Sequence, residues 1–457
     1  MSDPAVTESG AGDLASTVDR VLPGVRTDLE NLIRIPSISA DPDHAADVER
    51  SAQAVADLFR GVSNGTEAQV EILRVEGGQP AVLAHFPAPA GQPTVLLYAH
   101  HDVQPVGDPA AWTAAPFEPD ERDGRLYGRG SADDKAGVAV HLAALRAFDG
   151  RPPVGVIVLV EGEEEIGSPT LGGFLRTYAD RLEADVIVLA DSGNFAVGRP
   201  ALTTSLRGLV DCVVEVRALE HGVHSGMFGG AVPDALTALC RLLATLHDDA
   251  GDVAVAGLHH GATPEVEYAE EQLRAEAGML DGVQLIGTGS ISSRLWTKPT
   301  ATVLALDATR VEDASNTLAP SARAKVSVRL APGQDAKAGL AALQQHLIAN
   351  AEWGVEVEVS EGEYASPSSI ETIGERYDAA REAMAEAWGV PPVEIGVGGT
   401  IPFIAEFANT FPDAAILVTS AGSEPDSRAH GPDESLHLGD FRGACLAETL
   451  LLRRLAR

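Results

Sequence analysis

The chain has 457 residues and a formal net charge of −34, from 67 acidic and 33 basic residues. A chain of this length can form two or more compact units and bury a core without disulfides or a structural metal. The acidity argues against nucleic acid and anionic membranes as partners, because both require a basic surface.

The cysteines and the first residues bear on the cellular compartment. Cys212, Cys240 and Cys445 are far apart and form no Cys-x-x-Cys pair, which argues against a disulfide framework or a zinc finger. The first residues lack the basic and apolar segments of a signal peptide, and no apolar run approaches the roughly 18 residues of a membrane span. We expect a soluble cytoplasmic protein without a membrane partner.

The first part of the chain alternates between helical and strand patterns. Residues 1–12 are small and polar and are expected to be a disordered tail. Apolar residues three and four positions apart then predict a helix from Asp13, which Pro36 ends. The elements predicted after it are a helix from Ala45 to Arg60, strands from Val70 to Val75, from Ala81 to Phe86 and from Thr94 to Ala99, a helix from Gly137 to Phe148, and strands from Val154 to Val160 and from Asp185 to Ala190.

The pattern changes after about Arg199 and changes back near Ile370. Partly alternating strands at 209–216, 301–306 and 322–329 are separated by helical stretches at 233–247 and 336–350, as in an α+β domain with an antiparallel sheet. We therefore predict an α/β domain with a mostly parallel sheet over residues 13–200 and 366–457, interrupted by an inserted α+β domain over residues 201–365.

Three of the predicted strands are followed directly by side chains that bind metals. His100 and Asp102 follow the strand at 94–99, Glu161–Glu165 follow the strand at 154–160, and Asp191 follows the strand at 185–190. The carboxyl ends of parallel strands meet at one edge of a sheet, so these side chains should converge. Paired acids there would repel one another without a cation, which indicates a site for a pair of divalent metal ions.

Each of these residues also has a purely structural interpretation. An isolated His-x-Asp is more often a hydrogen-bonded pair than a metal site. An acidic triplet such as Glu163–Glu165 is usually a solvated helix start, and Asp133-Asp134 is often a cap or a turn.

Five segments occur in an order that resembles a known enzyme family. They are His100-x-Asp102, Gly128–Lys135, Glu161–Gly167, Asp191 and Ala429–Glu434. As a set they resemble the metal-dependent dipeptidase, aminoacylase and carboxypeptidase family, metallopeptidase family M20. The segments His100–Pro105, Leu126–Gly130 and His224–Gly230 look like those of its carnosinase-like, nonspecific dipeptidase branch. The resemblance implies that the α/β domain is catalytic and that the insert is a lid and dimerisation domain.

The resemblance also implies a metal centre with two divalent ions per subunit. Asp133 would bridge the ions, His100 and Asp191 would complete one site, and Glu165 and His430 would complete the other. This mixed nitrogen and oxygen set suits Zn²⁺ best and is acceptable to Mn²⁺ or Co²⁺. His430 is expected to face the substrate as well.

Two further residues of the metal-bearing domain receive roles from the resemblance. Glu164 would be the general base, which takes a proton from the metal-bridged water and passes it to the leaving amine. Asp102 would hold the imidazole of His100 in its metal-binding tautomer.

The remaining candidates are substrate contacts. His224 would reach the active site of the neighbouring subunit in a homodimer and stabilise the oxyanion; its alternative is a capped turn histidine. Arg329 would grip a substrate carboxylate, unless it is a solvent-facing strand residue. Gly399 and Thr400 would bind the other end of the substrate through main-chain groups and a hydroxyl, although glycines also simply form turns.

We therefore expect metal-dependent hydrolysis of dipeptides, with a small peptide as the substrate. An N-acyl amino acid deacylase acting on acetyl or succinyl groups by the same mechanism is the alternative enzyme. A binding or scaffold protein that lost its chemistry is a third hypothesis, and the presence of Glu164 with all five ligands argues against it.

Overall fold

The computed structural model describes residues 8–399 and 402–456. The helices, in chain order, are α1 (Glu8–Ile33), α2 (Ala45–Ser63), α3 (Lys135–Ala147), α4 (Leu171–Thr177), α5 (Ala179–Leu182), α6 (Ser225–Phe228), α7 (Ala235–Ala244), α8 (Glu270–Glu276), α9 (Ala336–Ala349), α10 (Glu375–Trp388), α11 (Pro402–Thr410) and α12 (Leu438–Leu455). The strands are β1 (Gln69–Leu73), β2 (Ala81–Phe86), β3 (Thr94–His100), β4 (Asp120–Arg122), β5 (Arg125–Tyr127), β6 (Gly155–Glu161), β7 (Val186–Ser192), β8 (Ala201–Leu206), β9 (Gly208–Arg217), β10 (Val223–His224), β11 (Thr300–Asp307), β12 (Thr317–Leu318), β13 (Ser321–Leu330), β14 (Glu356–Ala365), β15 (Ser368–Ser369), β16 (Val393–Val397), β17 (Ala415–Ser420) and β18 (Ser435–His437).

The described chain forms two compact units. Unit 1 comprises residues 8–204, 371–394 and 402–456, and unit 2 comprises residues 205–370 and 395–399. The predicted division did not include the second, short segment of unit 2 and assigned residues 395–399 to the α/β domain. These residues belong to unit 2 because the backbone N–H of Arg207 donates to the carbonyl of Val397 at 3.1 Å.

A six-stranded sheet in the order β1-β2-β6-β3-β7-β17 forms the centre of unit 1. Strands β6, β3, β7 and β17 pair in parallel, whereas β1 and β2 add an antiparallel edge. Strands β3 and β6 are buried along almost their whole length, as expected where helices cover both faces of a parallel sheet. The expected α/β class with a mostly parallel sheet is confirmed.

Helix α3 is the buried helix of unit 1, and α1, α2 and α12 pack against it. Its N-terminus is capped by Asp134, whose carboxylate accepts the N–H of Gly137 at 3.1 Å. The buried Lys135 donates to the carbonyls of Leu32 and Ile35, which ties α3 to the end of α1. Helix α1 begins at Glu8, so residues 8–12 are helical and not part of the predicted disordered tail; residues 1–7 lie outside the described residues.

Unit 2 contains a four-stranded antiparallel sheet in the order β11-β13-β9-β14. The inward residues of β9 and β13 form its hydrophobic core with α7 and α9. Both helices begin at an aspartate that accepts a hydrogen bond from the first turn, Asp234 for α7 and Asp335 for α9. The predicted antiparallel α+β arrangement of this part of the chain is therefore present.

Strand β11 lies at one edge of the sheet of unit 2. Val303, Leu304 and Leu306 on this strand are 41%, 57% and 42% exposed. Among the helices of the described residues, none has the length and hydropathy to cross a bilayer.

Candidate metal centre

The candidate ligands all lie in unit 1, beside the carboxyl ends of its parallel strands. His100 is the last residue of β3, Asp191 is near the end of β7, and Glu165 lies in a 3-10 turn, Glu164–Ile166, directly after β6. Asp133 precedes α3, and His430 lies in the loop before β18. Two strands and the turn after β6 therefore carry three of the ligands, and two loops carry the other two.

The first ligand group consists of His100, Asp133 and Asp191, whose ligand atoms all lie within 4.8 Å of one another. Nε2 of His100 lies 3.0 Å from Oδ1 of Asp133 and 3.9 Å from Oδ2 of Asp191. One imidazole nitrogen and two carboxylates therefore face a common point.

The second ligand group consists of Asp133, Glu165 and His430, also with ligand atoms within 4.8 Å of one another. Nε2 of His430 lies 3.0 Å from Oδ2 of Asp133 and 3.2 Å from Oε2 of Glu165. Asp133 thus turns one carboxylate oxygen to each histidine and is shared by the two groups.

Asp102 contacts one member of each ligand group, His100 in the first and Glu165 in the second. Its Oδ1 lies 3.3 Å from Nδ1 of His100, and the two side chains are fully buried. Its carboxylate also accepts the backbone N–H groups of Glu164 at 3.2 Å and Glu165 at 3.1 Å. A proton on Nδ1 of His100 leaves Nε2 as a lone-pair donor toward the ligand group.

The cluster contains more acidic than basic side chains, and their proximity and burial shift the pKa values. Burial would lower the pKa of His100, but hydrogen bonds to Asp102 and Asp133 raise it well above the usual range. Burial raises the pKa of Asp191 strongly, and the charges of Asp133 and Glu164 raise it further. Hydrogen bonds from His100 and His430 outweigh burial at Asp133 and lower the pKa of that carboxyl.

Glu164 lies beside the first group without belonging to either ligand group. Its Oε2 is 4.0 Å from Nε2 of His100, and its side chain is 20% exposed, so it can meet a bound substrate. Burial raises its pKa to about 8, and the charges of Asp133 and Glu165 contribute to the increase.

This set of side chains fits divalent metal ions. Each group offers one imidazole nitrogen and two carboxylate oxygens, a mixed set that Zn²⁺ and similar ions accept. Burial, with a contribution from neighbouring carboxylates, raises the pKa of Asp191 and Glu164, and bound cations would offset both effects.

The remaining candidates belong to unit 2, except Thr400, which lies outside the described residues. Burial and the nearby charge of Arg329 lower the pKa of Arg207 to about 10. Arg207 also donates to the carbonyl of Gly398 and to Oγ1 of Thr300, both at 3.2 Å. Two guanidinium groups and the Gly398-Gly399 backbone therefore share one part of unit 2.

His224 ends strand β10 and is exposed. Its Nδ1 accepts the backbone N–H of Gly226 at 3.1 Å, as the N-cap of α6. The neutral ring then carries its proton on Nε2, which leaves an outward hydrogen-bond donor. His224 can therefore cap the turn through Nδ1 and still donate a hydrogen bond through Nε2.

Gln104, Glu434 and Arg129 are further residues of the site that the sequence patterns do not predict. Gln104 donates its backbone N–H to Oε1 of Glu165 at 3.1 Å and its side-chain amide to the carbonyl of the same residue at 2.9 Å. Glu434 accepts the N–H of Asp133 at 3.1 Å and pairs with Arg129. All three lie within the segments that resemble the family. Only their contacts in the folded structure distinguish them from the residues beside them in the sequence.

A parallel sheet whose strand ends gather two groups of metal-binding side chains is the arrangement of a metal-dependent enzyme. Residues 96–454 match the family described as "Peptidase family M20/M25/M40". The chain therefore belongs to this family of metallopeptidases, which are hydrolases that use divalent metal ions, and the family expected from the motifs is confirmed.

Individual relatives agree with this assignment. The chain is 38% identical over 367 residues to a "Cysteinylglycine-S-conjugate dipeptidase" of Corynebacterium striatum, covering 79% of this chain and 80% of that protein. It is 28% identical to a "Beta-Ala-His dipeptidase" of Rattus norvegicus, over 79% of this chain and 77% of that protein. The crystal structure of human carnosine dipeptidase 1 has the same fold, with a TM-score of 0.79, 24% identity and 98% coverage of both chains.

Proposed function

We propose that this protein hydrolyses dipeptides at a pair of divalent metal ions. One observation carries the proposal: the carboxylate of Asp133 directs Oδ1 to His100 and Oδ2 to His430, so a single residue belongs to both ligand groups. A shared carboxylate of this kind holds two ions close together, at roughly 3.5–4 Å in enzymes that use a metal pair.

Each of the two ligand groups would hold one ion. His100 and Asp191 would hold the first ion, Glu165 and His430 would hold the second, and Asp133 would serve both. Zn²⁺ is the ion we propose first, with Mn²⁺ or Co²⁺ as acceptable replacements. Asp102 keeps the proton of His100 on Nδ1, which fixes the ring for coordination through Nε2.

Glu164 is the proposed general base. When bound, the two ions lower the pKa of a shared water and polarise the scissile carbonyl. Glu164 takes a proton from the attacking water and donates it to the amine that leaves, a transfer that typically contributes about 10²–10⁴-fold in rate. The role rests on its position beside the first ligand group and outside both groups.

The free carboxylate of the dipeptide is proposed to bind Arg329. The adjacent Arg207 adds a second positive charge, and both guanidinium groups favour an anion. The main chain at Gly399, together with Thr400, is proposed to bind the other end of the substrate. A substrate with both ends engaged has to be short, which favours dipeptides over longer peptides.

A homodimer is proposed as the working form, with His224 of each subunit serving the site of the other as an oxyanion donor. Strand β11 supports dimer formation, because it is an edge strand of the sheet and carries the exposed apolar side chains Val303, Leu304 and Leu306. The cysteines are free thiols, in agreement with a proposed cytoplasmic location.

The similarity to the bacterial cysteinylglycine conjugate dipeptidase suggests the first substrates to test. The protein should be freed of metal with a chelator, verified as metal-free, reloaded with Zn²⁺, Mn²⁺ or Co²⁺, and assayed in parallel. The panel comprises Cys-Gly and an S-conjugate of it, β-Ala-His, and the N-acetyl and N-succinyl forms of the same amino acids.

We expect no turnover without metal and higher kcat/KM for dipeptides than for N-acyl amino acids after reloading. Full activity in the metal-free protein would overturn the mechanism. Preference for the N-acyl compounds would make the protein a deacylase that uses the same metal centre.

A further inference from the structure

A buried ion pair between Arg129 and Glu434 lies next to the second ligand group. The two side chains are 1% and 0% exposed, and Arg129 is among the largest fully buried side chains in the protein. The residues are 305 positions apart in the chain. Burying two charges is costly unless further hydrogen bonds satisfy them, so the contacts of the pair indicate what it does.

Glu434 holds the loop that carries Asp133. Its carboxylate accepts the backbone N–H groups of Gly130 at 3.2 Å, Ala132 at 2.9 Å and Asp133 at 3.1 Å. The backbone carbonyl of Glu434 also accepts the N–H of Gly128 at 2.9 Å. The loop therefore wraps around one buried carboxylate, and the position of Asp133 depends on it.

Arg129 holds the other two segments of the second group. Its Nη2 donates to the carbonyl of His430 at 3.0 Å and to the carbonyl of Pro105 at 3.2 Å. Pro105 follows Gln104, whose backbone N–H and side chain both bind Glu165. One guanidinium fork therefore connects the segment that carries His430, and through Gln104 also Glu165, to the loop held by Glu434.

His430 depends on this support more than the other histidine ligand does. Its side chain is 58% exposed, whereas that of His100 is fully buried. Its backbone has φ of 65°, a left-handed conformation that is unfavourable for a residue other than glycine. His100 and Asp191, by contrast, are held by the paired strands β3 and β7.

We propose that Arg129 and Glu434 form a positioning clamp for the second ligand group, which sets the affinity of the second metal ion more than that of the first. The proposal rests on the ligand assignment made under the proposed function. Neither residue touches the ions or the substrate, because both act through backbone groups of the ligand segments. A lysine cannot replace Arg129, since one ammonium lacks the planar fork that spans a carboxylate and two carbonyls.

The test is metal binding by Arg129→Lys and by the double variant Arg129→Met with Glu434→Gln. The double variant leaves no unpaired charge, so it carries the comparison if the lysine variant does not fold. Metal-free protein is titrated with Zn²⁺ by calorimetry and with Co²⁺ by visible absorption, and urea unfolding of the metal-free form measures stability. Arg146→Met is the control, because it breaks an ion pair with Asp28 between α3 and α1 in the same unit.

We expect the affinity for one ion to stay within about threefold of wild type while the other falls about 10–100-fold, the usual range for residues that orient ligands. Excess metal should restore kcat, which a purely structural defect would not allow. Arg146→Met should bind both ions as wild type does.

Unchanged affinity for both ions, or an equal loss for both, in a folded variant would overturn the clamp. Wild-type protein that binds fewer than two ions would instead contradict the ligand assignment, so the two failures are distinguishable.

Discussion

Nδ1 of His100 lies 3.3 Å from Oδ1 of Asp102, and neither side chain is accessible to solvent. The same carboxylate accepts the main-chain N–H groups of Glu164 and Glu165. Asp102 therefore fixes a histidine on one side and the acidic turn on the other. One residue outside both ligand groups therefore contacts three residues of the site.

Asp102→Ala should lower kcat/KM by about 10–100-fold and weaken metal binding, because the acidic turn loses its anchor and Nδ1 of His100 loses the carboxylate, although it keeps the main-chain carbonyl of residue 102 at 3.1 Å. Steady-state kinetics and metal titration measure the two effects. Asp108→Ala is the control, since Asp108 lies nearby in the chain and only caps a short surface turn. Equal activity of the two variants would show that His100 and the turn are positioned by other contacts.

Glu164→Gln should keep both metal ions and the fold but lower kcat by about 10²-fold or more, because an amide cannot accept the proton of the attacking water. Metal content by elemental analysis and kcat for a dipeptide are measured on the same sample. Asp133→Ala is the contrasting variant, which should lose metal. Near-normal kcat in Glu164→Gln would require a different general base.

A dipeptide with an amidated C-terminus should be a poorer substrate than the free acid by about 10–100-fold in kcat/KM, because Arg329 loses its charged partner. Arg329→Ala should remove the difference between acid and amide. Arg241→Ala serves as the control, because Arg241 is an exposed arginine of unit 2 paired with Glu352. Equal turnover of both substrates by wild type would contradict the carboxylate contact.

Glu164→Gln and His224→Ala should each be nearly inactive as homodimers, yet a mixed dimer of the two should recover about half of wild-type activity if the sites act independently. The site on the His224→Ala chain keeps its own Glu164 and receives an intact His224 from its neighbour. Two different tags allow the heterodimer to be isolated and assayed. No recovery in a metal-loaded heterodimer would place the action of His224 within its own chain.

Asp252 in unit 2 provides a prediction on pH. Burial opposes ionisation, but hydrogen bonds from Lys298 and Thr288 lower the pKa of Asp252 to about 2. Since the folded-state pKa lies below the unfolded value of about 3.9, the carboxylate stabilises the fold fully above that value and loses its contribution as the pH falls toward 2.

Asp252→Asn should therefore lower the free energy of unfolding by about 1–3 kcal/mol at pH 7, and the difference from wild type should shrink below pH of about 4. Urea unfolding at several pH values measures this. The exposed neighbour Asp249 gives the control Asp249→Asn, for which no change is expected. A difference that persisted unchanged at low pH would rule out the ionised carboxylate as its source.

The sequence predicted the sheet and the convergence of its strand ends, because both follow from apolar runs and from the geometry of parallel strands. The residue patterns alone leave open which member of each acidic group faces the ligand cluster, and only the family resemblance names Asp133 and Glu165. Of the adjacent aspartates, Asp133 faces the histidines and Asp134 caps α3. Glu163 turns away and binds the N–H groups of Gln79 and Thr170. Tertiary contacts alone decide these orientations.

Two features had no local signal at all. The two residues of the clamp are 305 positions apart, so no pattern within a short window of sequence connects Arg129 to Glu434. The return of the chain to unit 2 at residues 395–399 depends on backbone pairing with Arg207, which apolar periodicity does not encode.

Because residues 395–399 belong to unit 2, they limit which segments can be exchanged between related proteins. Unit 2 is not a single cassette, because a graft of residues 205–370 alone would leave behind the backbone of Val397 and Gly398 that Arg207 binds. A chimera that keeps this corner intact has to transplant both stretches from the same parent. A crossover between positions 207 and 397 would therefore separate Arg207 from the backbone it binds, whereas a crossover outside this interval would keep the two from one parent.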